Sequence, residues 1–177
     1  MPPAVYSNPQ PGAATRVLVI GVGHYPALPG GGGTPMTRPE GMRQLQSPPI
    51  SAREFARWMI ENYHSDQRPL ASVQLLLSEA TPQVFSYTRD GQQHTAGPQP
   101  ADIATVRIAI REWQALSTEL NDLMLFYFCG HGIANPAKVA LLMSDFGTVA
   151  AAPLDGALDF TGFRLGMEDC MARNQCF

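Results

Sequence analysis

The sequence predicts an α/β fold, a three-layer α/β/α sandwich around a mainly parallel sheet. Three observations carry this. Residues 16–23 (RVLVIGVG) and 123–130 (LMLFYFCG) are short apolar runs that each close in glycine, as buried parallel strands do. Two stretches with apolar residues at helical spacing lie between such runs. The resulting order, β-α-β-α-β, is that of strands joined by helical crossovers.

Residues 1–14 are rich in Pro, Ala and Asn and read as a flexible tail, leaving 15–177 as one domain. After the strand at 16–23 comes a long loop with Gly30 to Gly33 and several prolines. Ser51 and Glu54 then have capping-box spacing, so a helix is expected from Ser51, with Phe55, Trp58, Met59 and Tyr63 on its apolar stripe. Residues 73–77 (VQLLL) form the second strand. Residues 81–101 are polar, carry Gly91, Gly97, Pro98 and Pro100, and read as an exposed excursion. Ile103, Val106, Ile110, Trp113 and Leu116 mark the second helix. The third strand is 123–129 and a shorter fourth is 139–144. Residues 158–171 read as loop then helix, and 175–177 as the start of another strand. No internal repeat is visible.

Composition narrows the class. A chain of 177 residues can bury a core. Its 15% charged content is low, and Gly and Pro, 16 each, mark it as loop-rich. A net charge of -3 and a pI near 5.7 argue against nucleic acid as a partner. No apolar run approaches the ~20 residues that span a bilayer, so no membrane partner is expected. The N-terminus has no basic region followed by an apolar core, so no signal peptide is expected. Three cysteines, Cys129, Cys170 and Cys176, without repeated spacing fit reduced thiols in a cytoplasmic protein.

Candidate sites follow from residue chemistry. Gly21 and Gly23 close the first strand, but a dinucleotide fingerprint needs a third glycine opening into a helix. Here that position is Pro26, followed by Ala27 and, two residues on, Pro29, which block direct entry into a helix. A strand-end turn is the simpler account, and no cofactor is expected. Cys129 and His131 lie two apart, yet no pair of further ligands completes a tetrahedral set, so no metal is expected. No G-x-S-x-G elbow is present. His131 remains. It stands between Gly130 and Gly132 at the end of an apolar strand, where α/β folds gather their active sites. It reads as a general base, with the Gly132 N–H, free of any side chain, able to approach an oxyanion. A structural histidine at a strand end is the alternative.

Residues 126–132 (FYFCGHG) resemble the histidine motif of caspase-like cysteine peptidases, the clan of caspases, metacaspases and their bacterial relatives. The resemblance extends to the order of elements: 17–25 as the first strand, 51–63 and 102–116 as the helices, and 140–145 as the strand after the histidine loop. It implies a caspase-like fold and a Cys-His dyad in which His131 activates a thiol and the Gly132 amide forms half the oxyanion hole. It also implies that the loop after the first strand helps bind substrate, which singles out His24 and Tyr25. That loop offers no permanent charge, and Arg38 and Glu40 lie far along it.

The family's nucleophile follows the next core strand. Cys176 lies too early in that strand, Cys170 lies before it, and Cys129 shares the strand of His131. The expectation is therefore an incomplete catalytic domain that carries the histidine but not the cysteine. Its partners would be a peptide or protein substrate, downstream sensor or repeat domains, or a second subunit supplying the thiol. The alternative is an inactive caspase-like scaffold or interaction module. A nucleotide-binding α/β domain is a third reading, and no acidic cluster suggests calcium.

Overall fold

A computed structural model describes residues 4–9 and 11–177. The elements run β1 (Tyr6–Ser7), β2 (Thr15–Val22), α1 (Ser47–Asn62), β3 (Leu70–Ser78), β4 (Phe85–Arg89), β5 (Gln92–Ala96), β6 (Gln99–Pro100), α2 (Ile103–Ala115), β7 (Leu123–Cys129), β8 (Gly132–Ala134), β9 (Val139–Leu142), β10 (Ala157–Asp159), α3 (Phe160–Gly166) and β11 (Asn174–Cys176). The protein is α/β, with a mixed, mostly parallel six-strand sheet packed against helices. Its order is β1-β3-β2-β7-β11, and β6 also pairs with β3. β3, β2, β7, β11 and β6 follow parallel pairings, and β1 alone is antiparallel.

The central strand explains the layering. Every residue of β2 is buried. Side chains alternate across a strand, so Val17 and Val19 face Ala52, Ala56, Met59 and Ile60 of α1. Leu18, Ile20 and Val22 face the other way, with Val106, Ile110 and Trp113 of α2 and Phe163 of α3. A Cβ on Gly21 would lie 2.6 Å from the Ala52 Cβ and 2.7 Å from the Pro48 carbonyl oxygen. The glycine in this strand therefore serves close helix packing.

Four expectations are corrected. In the segment read as a flexible tail, Tyr6 and Ser7 pair with Val73 and Ser72, and Val5 and Tyr6 are buried. The burial of those two apolar side chains ties this part of the chain to the sheet; residues 1–3 and 10 of the expected tail lie outside the described residues. α1 starts at Ser47 rather than Ser51, with Pro48 and Pro49 in its first turn. Proline suits that turn because its missing N–H has no helical partner to lose. The excursion at 81–101 contains the β4–β5 hairpin, turned by Asp90 (φ 53°) and Gly91 (φ 75°). Its Phe85 is fully buried beside α1. The expected fourth strand is β9, and it belongs to a second, three-stranded antiparallel sheet, β10-β9-β8.

From β2 the chain crosses to β3 on one side, while β7 leads to β11 on the other. The carboxyl ends of β2 and β7 thus flank a topological switch point, where α/β sheets open a crevice. Among the described residues no helix is long and apolar enough to cross a membrane.

Candidate active site

β7 delivers Gly130-His131-Gly132 to this crevice, and β2 delivers His24-Tyr25 beside it. Tyr25 has no exposed surface. Its phenol oxygen accepts the backbone N–H of His131 at 2.9 Å and donates, at a long 3.4 Å, to the Leu142 carbonyl. Its ring lies 5.1 Å from the His131 ring at 46°. Burial pushes the Tyr25 hydroxyl far above its ordinary range, against a smaller opposing effect of the His131 amide. The phenol therefore stays protonated and works as a fixed hydrogen-bonding pivot.

The pivot is itself held. The Gln44 side chain accepts the Tyr25 N–H at 2.8 Å and donates to the Tyr25 carbonyl at 2.8 Å. Its neighbour closes the ring: the Arg43 carbonyl accepts from the His131 Nε2 at 2.7 Å. A carbonyl only accepts, so the proton sits on Nε2, and Nδ1 of the neutral imidazole carries a lone pair. Tyr25, Gln44, Arg43 and His131 thus form one closed circuit that fixes both the position and the tautomer of the imidazole. A Cβ on Gly130 would meet the Tyr25 hydroxyl at 2.9 Å and the Phe128 ring at 2.8 Å, so only glycine admits the pivot.

The amide of Gly132 is set by the second sheet. His131 accepts from the Leu142 N–H at 3.0 Å, and Asn135 donates to the Lys138 carbonyl at 2.9 Å. Antiparallel ladders alternate bonded and outward-facing residues. With His131 and Asn135 turned toward β9, the N–H and C=O of Gly132 and Ala134 point out from the free edge of β8. Both residues are exposed.

The sequence-selected residues therefore separate. His131, Gly132 and Tyr25 come together. Tyr25, expected to line a substrate cleft, is buried beneath His131 and holds it instead. His24 points elsewhere: its Nε2 meets the Gly31 carbonyl at 3.1 Å. Its backbone carbonyl accepts from the Ser78 hydroxyl and its N–H bonds the Ser78 carbonyl. It lines a separate cavity of about 350 Å³ with Ile50 and Glu79. The residues that sequence reasoning passed over are Arg43, acting through its backbone carbonyl, and Gln44. Neither residue type carries a signal for such a role.

Cys170 and Cys176 lie apart from this site, while Cys129 is near enough to Tyr25 to act weakly on its hydroxyl. Cys176 pairs with Leu125, six positions before His131, roughly 20 Å at the rise of a strand. Cys129 shares the α1-facing side of β7 with Leu125 and Tyr127, whose own hydroxyl is pushed up by burial and then by the neighbouring thiol. Cys170 contacts Met167 near the end of α3, and burial pushes its thiol up, away from the reactive thiolate form. Among the described residues no group of three or more His, Cys, Asp or Glu side chains could hold a metal ion. No protein-family model and no curated protein sequence matches this chain.

Proposed function

We propose that this chain carries the histidine half of a caspase-like cysteine endopeptidase site, on a three-layer α/β/α frame. The observation that supports it best is the asymmetric use of His131: Nε2–H is tied to the Arg43 carbonyl while Nδ1 keeps its lone pair. In this reading Nδ1 takes the proton of a cysteine thiol, and the thiolate attacks a peptide carbonyl carbon. The outward N–H of Gly132 receives the developing oxyanion. The imidazolium then protonates the leaving amine, and water hydrolyses the thioester. The thiol arrives on a strand laid beside the upper part of β7, above the level at which β11 pairs.

A second reading, an inactive scaffold of the same fold, is favoured by one observation: Cys176 pairs low on β7 beside Leu125, Cys170 packs on Met167, and Cys129 sits on the α1-facing side of the strand that carries His131. Cleavage of blocked peptide–coumarin substrates by the natural polypeptide separates the two. The peptidase reading expects cleavage that iodoacetamide stops and that His131→Ala lowers by about 10³-fold or more. No cleavage, or cleavage indifferent to both, overturns it in favour of the scaffold.

A further inference from the structure

A cavity of about 460 Å³ opens beside the histidine loop. The loop before α1, read from the sequence as distant, supplies one wall, and Ile133, two residues after His131, supplies another. Met36, Met42, Phe146 and Leu154 complete an apolar lining. Ile133 and Leu154 keep 39% and 55% of their surface exposed, large apolar side chains only partly covered by the rest of the chain. Two methionines give such a wall an adaptable shape. Arg38 and Glu40 also line it, one of each sign, so the cavity carries no net charge to select an acidic or basic group.

The cavity is joined to the circuit around His131 through the chain on both walls, by Met42 and by Ile133. Met42 precedes Arg43, whose carbonyl fixes the imidazole. Glu40 (φ 50°) and Gly41 (φ 76°) are consecutive left-handed residues, and Glu40 is one of only two non-glycine residues in that conformation among those described. Such strain persists only where surrounding structure imposes it. Here the bend presents Met42 to the cavity and the Arg43 carbonyl to His131. On the other wall, the free edge of β8 exposes the N–H and C=O of Gly132 and Ala134, the spacing at which an extended backbone adds as a further strand.

We propose that this cavity and the β8 edge bind an extended peptide, with a large apolar side chain (Leu, Met or Phe) in the cavity next to the reacting bond. The inference rests on the peptide-cleaving reading of His131 and gives that site a substrate class. Backbone pairing along β8 favours a peptide over a free apolar small molecule. The volume falls in the ~300–1,000 Å³ range of ligand sites and leaves room for a large side chain. A charged side chain at that position would lose hydration and meet Arg38 and Glu40 together, so that neither sign finds a net counter-charge.

Binding tests this without any thiol. ¹⁵N-labelled His131→Ala protein is titrated with blocked hexapeptides of alanine and serine that carry one Leu, Asp or Lys at the same position. The expectation is shifts at the amides of Gly132, Ile133, Ala134 and Phe146 with the Leu peptide, and binding weaker by about tenfold or more with Asp or Lys. Ile133→Arg should erase the preference for Leu. Leu154→Arg, at an exposed position of the 3-10 turn Pro153–Gly156, should weaken Leu binding independently, which guards against a misfolded first variant. Equal affinity for the three peptides, or shifts confined to other surfaces, overturns the proposal. Because cleavage is not read, Leu-selective binding in a protein that cleaves nothing would leave this inference standing and sink only the peptidase reading. Thiol-dependent cleavage without Leu-selective binding would do the reverse.

Discussion

The two ends of the β2–β7 pair are built from the same materials to opposite effect. At the amino-terminal end Asp122 is fully buried and uses both carboxylate oxygens. Oδ1 accepts the Ala14 N–H at 2.8 Å and the Arg16 guanidinium at 2.7 Å; Oδ2 accepts the Thr118 and Glu119 N–H groups, each at 3.0 Å. The indole N–H of Trp113 adds a bond to the Arg16 carbonyl at 3.0 Å. At the carboxyl end Tyr25, Gln44 and Arg43 hold His131 through its backbone N–H and Nε2, but the circuit makes no use of Nδ1 and leaves the N–H of Gly132 facing outward. A network whose every lone pair is engaged can only hold shape. One that fixes a group and leaves part of its bonding capacity open can bind or react. That difference, more than the presence of a histidine, is the ground on which the upper end is proposed as the site.

The comparison can be broken in steps of decreasing size. Asp122→Ala leaves the Arg16 guanidinium and three N–H groups without their partner, and breaking a buried pair costs about 3–5 kcal/mol. Urea unfolding should show this loss; a change under about 1 kcal/mol would mean the lower network is not what holds that end. Gly130→Ala forces a methyl group against the Tyr25 hydroxyl and the Phe128 ring, an overpacking cost of about 1–3 kcal/mol. It should also displace the His131 signals in an NMR spectrum, whereas Asp122→Ala at permissive temperature should not.

Tyr25→Phe removes the acceptor for the His131 N–H and should cost about 1–2 kcal/mol. It carries a pH signature as well. The phenol of Tyr25 keeps its proton in the folded state well above the ordinary tyrosine value of 10.0. Above that value the unfolded chain gives up the proton and the native chain retains it, so stability falls as pH rises past about 10. Replacing Tyr25 by Phe should flatten that decline relative to the parent; an unchanged slope would place the hydroxyl in water. The smallest expected effect is Gly132→Ala, within about 0.5 kcal/mol of the parent. Its added Cβ meets nothing nearer than 3.4 Å. If Gly132→Ala unfolds the protein while Gly130→Ala does not, the assignment of close packing to one glycine and an open amide to the other is reversed. Long-range ¹⁵N–¹H correlation of the neutral imidazole should show the proton of His131 on Nε2; finding it on Nδ1 would remove the base from the site.

Much of this was readable in the chain. The run ending in Gly-His-Gly names its strand, its terminus and its candidate base at once, because seven apolar residues in a row are hard to place outside a sheet. The helix at 103–115 was legible from its period alone; the structure adds its cap, Asp102, whose carboxylate accepts the Thr105 N–H at 2.9 Å. The Asp90-Gly91 hairpin was legible in principle, but its polar surroundings read as loop. The start of α1 was missed because a capping pattern at Ser51 competed with two prolines whose preference for the first turn was the stronger signal. The pairing of Tyr6 with β3 had no local mark at all, since an edge strand of two residues draws its order from the neighbour it joins.

By itself the sequence determined the alternation of strands and helices, the parallel character of the sheet and the histidine at its edge. These follow from periodicity and from where glycine interrupts apolar runs, which are properties of neighbouring residues. Only the tertiary structure decided that Tyr25 lies beneath His131 and His24 beside Ser78, that a carbonyl from residue 43 sets the tautomer, and that Arg38 and Glu40 stand at the cavity next to Ile133. Each of these joins segments tens of residues apart, and the hydrogen bonds among them each use at least one backbone group, which every residue possesses. Sequence marks side chains, while the direction of a backbone N–H or C=O is fixed only when the chain around it has packed.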